Sequence, residues 1–107
     1  MAIVNATDVE FTSEVLNHKG PVLIDFWAGW CKPCKQLAPE FEKLAAKFSK
    51  KVKFVKVDVD QGAVAAKSCN VMSLPTLVLF VPGATPVSVS GFATAADLEK
   101  KFNLGGL

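Results

Sequence analysis

With 107 residues, half of them apolar, and a net charge of +2, the chain has room for one compact domain over residues 1–107 and does not belong to the disordered class. Acids and bases are interspersed apart from a cluster at Lys47, Lys50, Lys51 and Lys53, so no field suited to nucleic acid or membrane is implied. A domain of this size buries well over half of its unfolded surface without disulfide staples, which leaves the three cysteines free for chemistry.

The opening Met1-Ala2-Ile3-Val4-Asn5-Ala6-Thr7-Asp8 turns polar too soon for a signal peptide, and no run reaches the roughly 18 apolar residues of a membrane span. Two of the three cysteines lie only three positions apart, unlike the framework of a secreted mini-protein. A reducing, cytoplasmic location is expected, or else a mature form already processed.

Thr7 and Glu10 have the capping-box spacing, and Val9, Val15 and Leu16 follow at partly helical intervals. They predict a first helix over residues 8–17, closed by His18-Lys19-Gly20-Pro21. Val22-Leu23-Ile24-Asp25-Phe26-Trp27 is a nearly continuous apolar run of strand length, as in a central strand buried on both faces, with one acid inside it. From Cys34 to Phe48, the spacing of Leu37, Phe41, Leu44, Ala45 and Phe48 is helical, and Pro39 predicts a kink. A strand over 52–59, a short helix over 61–68 and a strand over 76–81 follow. Turn formers in Val81-Pro82-Gly83-Ala84-Thr85-Pro86 join that strand to residues 87–91 as an antiparallel pair, and Thr94 with Asp97 opens a last helix carrying Leu98 and Phe102. Strands separated by helical crossovers imply a parallel arrangement, to which the hairpin adds an antiparallel edge. The expected class is α/β, a central mixed sheet flanked by helices on both faces. Residues 103–107 are expected to fray.

Cys31 and Cys34 fall at the junction of the buried strand and the long helix, with Pro33 suited to the first helical turn. Three-residue spacing at a helix start puts both sulfurs on one face, with Cα atoms roughly 5–6 Å apart, as a disulfide requires. Unpaired amides and the positive end of the helix dipole favour a thiolate at Cys31, the expected nucleophile. Cys34, one turn deeper, would attack the resulting mixed disulfide, so the reaction is thiol–disulfide exchange. Structural zinc wants four ligands, and only Cys69 and His18 remain, at unsuitable spacings. Covalent haem wants His where Lys35 stands. An inert pair of core cysteines is the remaining alternative for any lone CxxC.

The segment Trp27-Ala28-Gly29-Trp30-Cys31-Lys32-Pro33-Cys34-Lys35 closely resembles the thioredoxin active-site segment W-A-x-W-C-G-P-C-K. The resemblance runs along the chain: Asp25 falls at the family's buried acid, Pro39 at its helix kink, Lys56 at its strand lysine and Leu74-Pro75-Thr76 at its cis-proline loop, while Gly83 and Gly91 also fit. It implies the thioredoxin fold in the order βαβαβαββα and a general protein-disulfide reductase. Such a protein is expected to be a monomer without bound cofactor or metal, recharged by an NADPH-dependent thioredoxin reductase and acting on disulfide-containing proteins. Asp25 would sit beneath Cys34 and take its proton. Because Asp25 shares strand parity with Leu23 and Trp27, desolvation should raise its pKa. Lys56 is placed near that acid, opposing the rise, with an exposed strand lysine as the plain alternative. Pro75, if cis, leaves the Leu74 backbone free to pair with an extended substrate strand. Trp30, Pro33, residues 71–75, Gly91 and Phe92 would form an apolar rim, with Trp27 as packing.

Two positions depart from the family pattern. Lys32 replaces the usual Gly between the cysteines and sits at the rim, where a cation should favour the Cys31 thiolate and make the protein somewhat more oxidising. Met72-Ser73 replaces the basic or small residues often found there. Cys69 is either a buried hydrophobe or a regulatory thiol open to glutathionylation or dimerisation. A thiol oxidase or isomerase of protein folding, and a non-catalytic thioredoxin-fold binding subunit, are the competing functions.

Overall fold

The computed structural model describes residues 3–107, whose backbone runs through five strands and four α-helices. The order is β1 (Ile3–Asn5), α1 (Asp8–Phe11) continuing as a π-helical turn (Thr12–Leu16), β2 (Val22–Trp27), α2 (Lys32–Phe48), β3 (Lys53–Asp58), α3 (Ala63–Ser68), β4 (Thr76–Phe80), β5 (Val87–Ser90), α4 (Ala95–Phe102) and a 3-10 turn (Leu104–Gly106). The strands form one mixed sheet in the order β1-β3-β2-β4-β5. β1 and β2 flank β3 in parallel, whereas β4 runs antiparallel to β2, and β5 to β4.

The side chains of β2 divide the core. Leu23 packs with Leu37, Phe41 and Leu44 of α2 and Leu98 of α4 on one face, while Ile24 and Phe26 meet Phe11, Val15 and Ala65 on the other. Burying each large side chain of this kind contributes about 1.5–3 kcal/mol. Phe41 and Phe54 add an edge-to-face contact, with ring centroids 5.3 Å apart. Asp25 occupies the face of Leu23, and so points toward α2.

Three expectations need correction. First, β4 is not parallel to its predecessors. The six residues of α3 span only about 9 Å, too short to return along a six-residue strand of about 20 Å. The chain therefore re-enters the sheet at the end where β2 and β3 finish, with Thr76 opposite Phe26. Second, the first helix does not keep one period. The Asn17 amide donates to the Thr12 carbonyl at 2.9 Å, a five-residue bond that shifts the helical phase. Phe11 and Val15, four residues apart, share the buried face, whereas Val9 and Leu16 face solvent. Third, residues 104–106 do not fray. Asn103 takes the left-handed conformation at the end of α4, which turns Leu104 into the same cluster as Leu98 and Phe102.

Helix ends are fixed as their sequences dictate. Thr7 and Glu10 form the capping box, with the Thr7 amide donating to Glu10 Oε1 at 2.8 Å. Asp8 accepts from the Val64 and Ala65 amides and so caps α3, whose own first flanking residue, Gly62, has no side chain to do so. Thr94 caps α4 by accepting from the Asp97 amide. Glu40 of α2 accepts from the Ala95 amide at 2.8 Å, which ties α2 to the start of α4. α2 continues through the exposed Pro39 to Phe48; Pro39 withholds the amide that would bond the Lys35 carbonyl.

Candidate active site

β2 ends at Trp27, and three residues carry the chain to Cys31 at the start of α2. Cys31 is extended (φ −95°, ψ 109°) and stands immediately before the first helical residue, with Pro33 in the first turn. Its Sγ accepts the Cys34 amide at 3.3 Å. One of the unpaired amides of the helix start is thus spent on this sulfur. The two cysteines are joined as a disulfide with Cα atoms 5.3 Å apart, within the separation expected from their spacing. The 17-residue helix aims its positive end at Cys31, so both donor and dipole favour negative charge there once the bond is reduced.

Neither cysteine is widely exposed, at 6% for Cys31 and 3% for Cys34. Ala28, Trp27, Val59 and Leu74 pack around them. The reachable sulfur is that of Cys31, which lines a surface groove of about 520 Å³. One wall is Trp30, Lys32 and Pro33; the other is Val71, Met72, Ser73 and Leu74, with Val59 and Ala66 at the floor. Trp30 is 70% exposed and Met72 93%, an unusual display of apolar surface for two neighbours of one cleft. The two walls meet because β4 begins at the end of the sheet where β2 finishes.

The Leu74–Pro75 peptide bond is cis. Pro75 is buried and lies behind the groove, while Leu74 lines it and falls outside the strand ladder, which begins at Thr76. The Gly91 amide donates to the Pro75 carbonyl at 2.8 Å, and Gly91 has a positive φ of 86°, which suits glycine. Gly91 thus braces the proline loop. Phe92 is half-exposed beside it, outside the groove lining.

Behind the cysteines, Asp25 is 1% exposed, and neither of its carboxylate oxygens has a hydrogen-bond partner in the protein. Burial pushes its pKa up from the ordinary 3.8 to about 7, against the opposing charge of Lys56. Lys56 is its register partner on β3. The Lys56 ammonium makes no ion pair among the described residues; it lies 4.8 Å from the centroid of the Trp27 ring. Trp27 packs against the cysteine cluster on one side and the Lys56 ammonium on the other. Cys34 precedes Leu37 by one turn on the buried stripe of α2, which packs on the sheet face that Asp25 shares with Leu23.

Cys69 is not brought to this site. It follows α3, half-buried against the core cluster of Ala66 and Phe26, and burial pushes its thiol pKa up, opposed by a contact with Ser68. Asp60 was not anticipated from the sequence: its carboxylate accepts the Trp30 indole N–H at 3.2 Å. Only the end of β3 beside the cysteine loop could have signalled it. Val59 and Ala66 were likewise missed, because as small apolar residues they read as core.

An arrangement that can make and break one disulfide at the rim of a surface groove, on the sheet face that also carries a buried acid, defines a thiol–disulfide oxidoreductase acting on proteins. The thioredoxin family model matches residues 2–103. The chain is 45% identical over 100 residues to a thioredoxin of Staphylococcus aureus, covering 94% of each. It is 44% identical over 96 residues to thioredoxin C-2 of Corynebacterium nephridii, covering 90% of this chain and 89% of that one. A crystal structure of chloroplastic thioredoxin z superposes with a TM-score of 0.85 at 25% identity, covering 100% of this chain and 97% of the other. The chain belongs to the thioredoxin family and is a protein-disulfide oxidoreductase.

Proposed function

We propose that the chain is a general protein-disulfide reductase of the cytoplasm, working as a monomer and recharged by an NADPH-dependent thioredoxin reductase. The observation that carries this reading is the Cys31 sulfur, held at the tip of α2 by the Cys34 amide and opening onto an apolar groove. In the reduced protein, the Cys31 thiolate attacks one sulfur of a target disulfide, and the other target sulfur leaves as a thiolate and takes up a proton. Cys34 then gives its proton to Asp25 and attacks Cys31, releasing the second target sulfur and restoring the Cys31–Cys34 bond. Two electrons pass to the target. An acid with a pKa of about 7 is suited to accept and return that proton near neutrality, and Lys56 tunes it. Trp30, Lys32, Pro33 and the loop from Met72 to Pro75 receive the target chain, whose backbone pairs at Leu74; Gly91 and Phe92 support that loop.

Insulin reduction driven by dithiothreitol tests the reading, together with the redox potential. Turnover with a potential near the value typical of thioredoxins, about −270 mV, is expected; one near about −180 mV would favour an oxidase or isomerase of protein folding. Cys31→Ser should abolish turnover, and Cys34→Ser should trap mixed disulfides. Full turnover in the Cys34→Ser protein would overturn the assigned roles, and none in the unaltered protein would favour a non-catalytic binding subunit.

A further inference from the structure

The groove beside Cys31 is lined by a single charged side chain, Lys32. Its other walls are apolar or neutral, so this one ammonium sets the sign of the surface that an incoming chain meets. Lys32 is exposed and makes no ion pair among the described residues. It is the first residue of α2, whose first turn holds no acid. A cation there opposes the helix dipole, so Lys32 does nothing for the helix that carries it. The next charge along α2, Lys35, has the same sign and is also exposed. Asp60, whose carboxylate accepts the Trp30 indole N–H and keeps its charge, is outside the groove lining.

We propose that Lys32 is a specificity-determining residue: it directs the protein toward disulfides in extended segments carrying Asp or Glu beside the attacked cysteine. This rests on the reductase reading and names its preferred substrates. Attack at Cys31 places the target cysteine between Lys32 and the loop from Met72 to Leu74, so residues adjoining that cysteine pass over the Lys32 side chain. An acidic neighbour meets an ammonium with no competing carboxylate on the groove lining. A basic neighbour meets like charge, with no acid in the lining to offset it. The discrimination is electrostatic and exposed, and therefore sensitive to salt.

The test uses two peptide disulfides identical except for Glu or Lys on either side of the attacked cysteine. Second-order rate constants are measured with the reduced protein in single turnover. Each is divided by the rate of the same peptide with mercaptoethanol, which removes the intrinsic reactivity of the peptide. The ratio of the two normalised rates is independent of the reactivity of Cys31 itself, which Lys32 substitutions also alter. About a three- to tenfold preference for the acidic peptide is expected at low salt, falling toward one at about 0.5 M salt, where screening is nearly complete. Lys32→Gly should bring the low-salt ratio close to one, and Lys32→Glu should invert it. Equal rates with the unaltered protein, or a preference that survives in both variants, would overturn the assignment of Lys32 while leaving the reductase reading intact. Failure to reduce either peptide would overturn the reductase reading and this inference with it.

Discussion

Replacing Asp25 by Asn should stabilise the folded protein, and only above a defined pH. In the unfolded chain this carboxyl titrates near its ordinary 3.8; in the folded protein burial holds it at about 7. The folded state therefore binds the proton more tightly, and stability falls as pH rises through the interval between these values. The whole interval corresponds to about 4 kcal/mol, an appreciable share of the roughly 5–15 kcal/mol that holds a domain together. Below about pH 4 the acid is neutral in both states, and the native protein and the Asp25→Asn variant should differ little. Between about pH 4 and 7 the native protein should lose about 1.4 kcal/mol per pH unit relative to the variant, and above about pH 7 the gap should stay constant. The oxidised protein is the form to use, because its paired cysteines do not titrate alongside the acid. Urea denaturation at pH 5, 6, 7 and 8 reads the gap directly. A gap equal at pH 5 and 8, or one that shrinks with rising pH, would refute the claim that Asp25 is folded in its neutral form at a cost to stability.

The neighbouring charges give further tests. Lys56→Met removes the one charge that lowers the Asp25 pKa and should raise it above its value of about 7, as followed by carboxyl carbon NMR of the oxidised protein; no rise would show that an ammonium held over Trp27 does not reach the acid. Lys32→Gly removes an exposed cation at the start of α2, worth about 0.3–1 kcal/mol to the thiolate form, which converts to a fall of roughly 5–20 mV in redox potential. Equilibration with glutathione measures it, and an unchanged or higher potential would contradict the effect assigned to Lys32. Thr7→Ala breaks the capping box and should cost about 1 kcal/mol in urea denaturation; a loss near zero would mean that the Glu10 contact with the Thr7 amide holds the turn unaided.

The reacting atoms were legible because their chemistry is written in adjacent residues. Cys31, Pro33 and Cys34 need only a strand before them and a helix after, and the apolar run over 22–27 and the periodicity from Leu37 to Phe48 supply both. The Thr7–Glu10 capping box and the Thr94 cap were readable for the same reason, each being confined to one helical turn. β1 was not legible from patterning, since Ile3–Asn5 is too short for any period to show and gains its pairing from Phe54 and Val55, far along the chain. The direction of β4 was misread because alternating strands and helices suggest full crossovers. The fault lay in length: α3 has six residues, fewer than a return along the sheet demands. Leu104 was misread because the left-handed turn at Asn103 leaves no trace in hydropathy. The pairings of Trp30 with Asp60 and of Lys56 with Trp27 are contacts across the fold, which no local pattern reports.

The shortness of α3 also explains why the misread strand matters to the chemistry. Had the connection after β3 been long enough to return, the segment before β4 would have entered the sheet at the far end, and Leu74 and Met72 could not have faced Cys31. Because it is short, the chain crosses over β2 at the end where α2 begins, and the loop that precedes β4 becomes the second wall of the groove. The same constraint fixes the acid. β2 must lie between β3 and β4 to receive pairing on both edges, so any carboxyl on its α2-facing side is cut off from solvent, and its raised pKa follows from the topology. The cysteine pair, the groove beside it and the buried acid thus come from one central strand and from what its neighbours can reach. A longer α3 would keep the cysteine pair and its helix, and would separate them from the loop that forms the other wall of the groove.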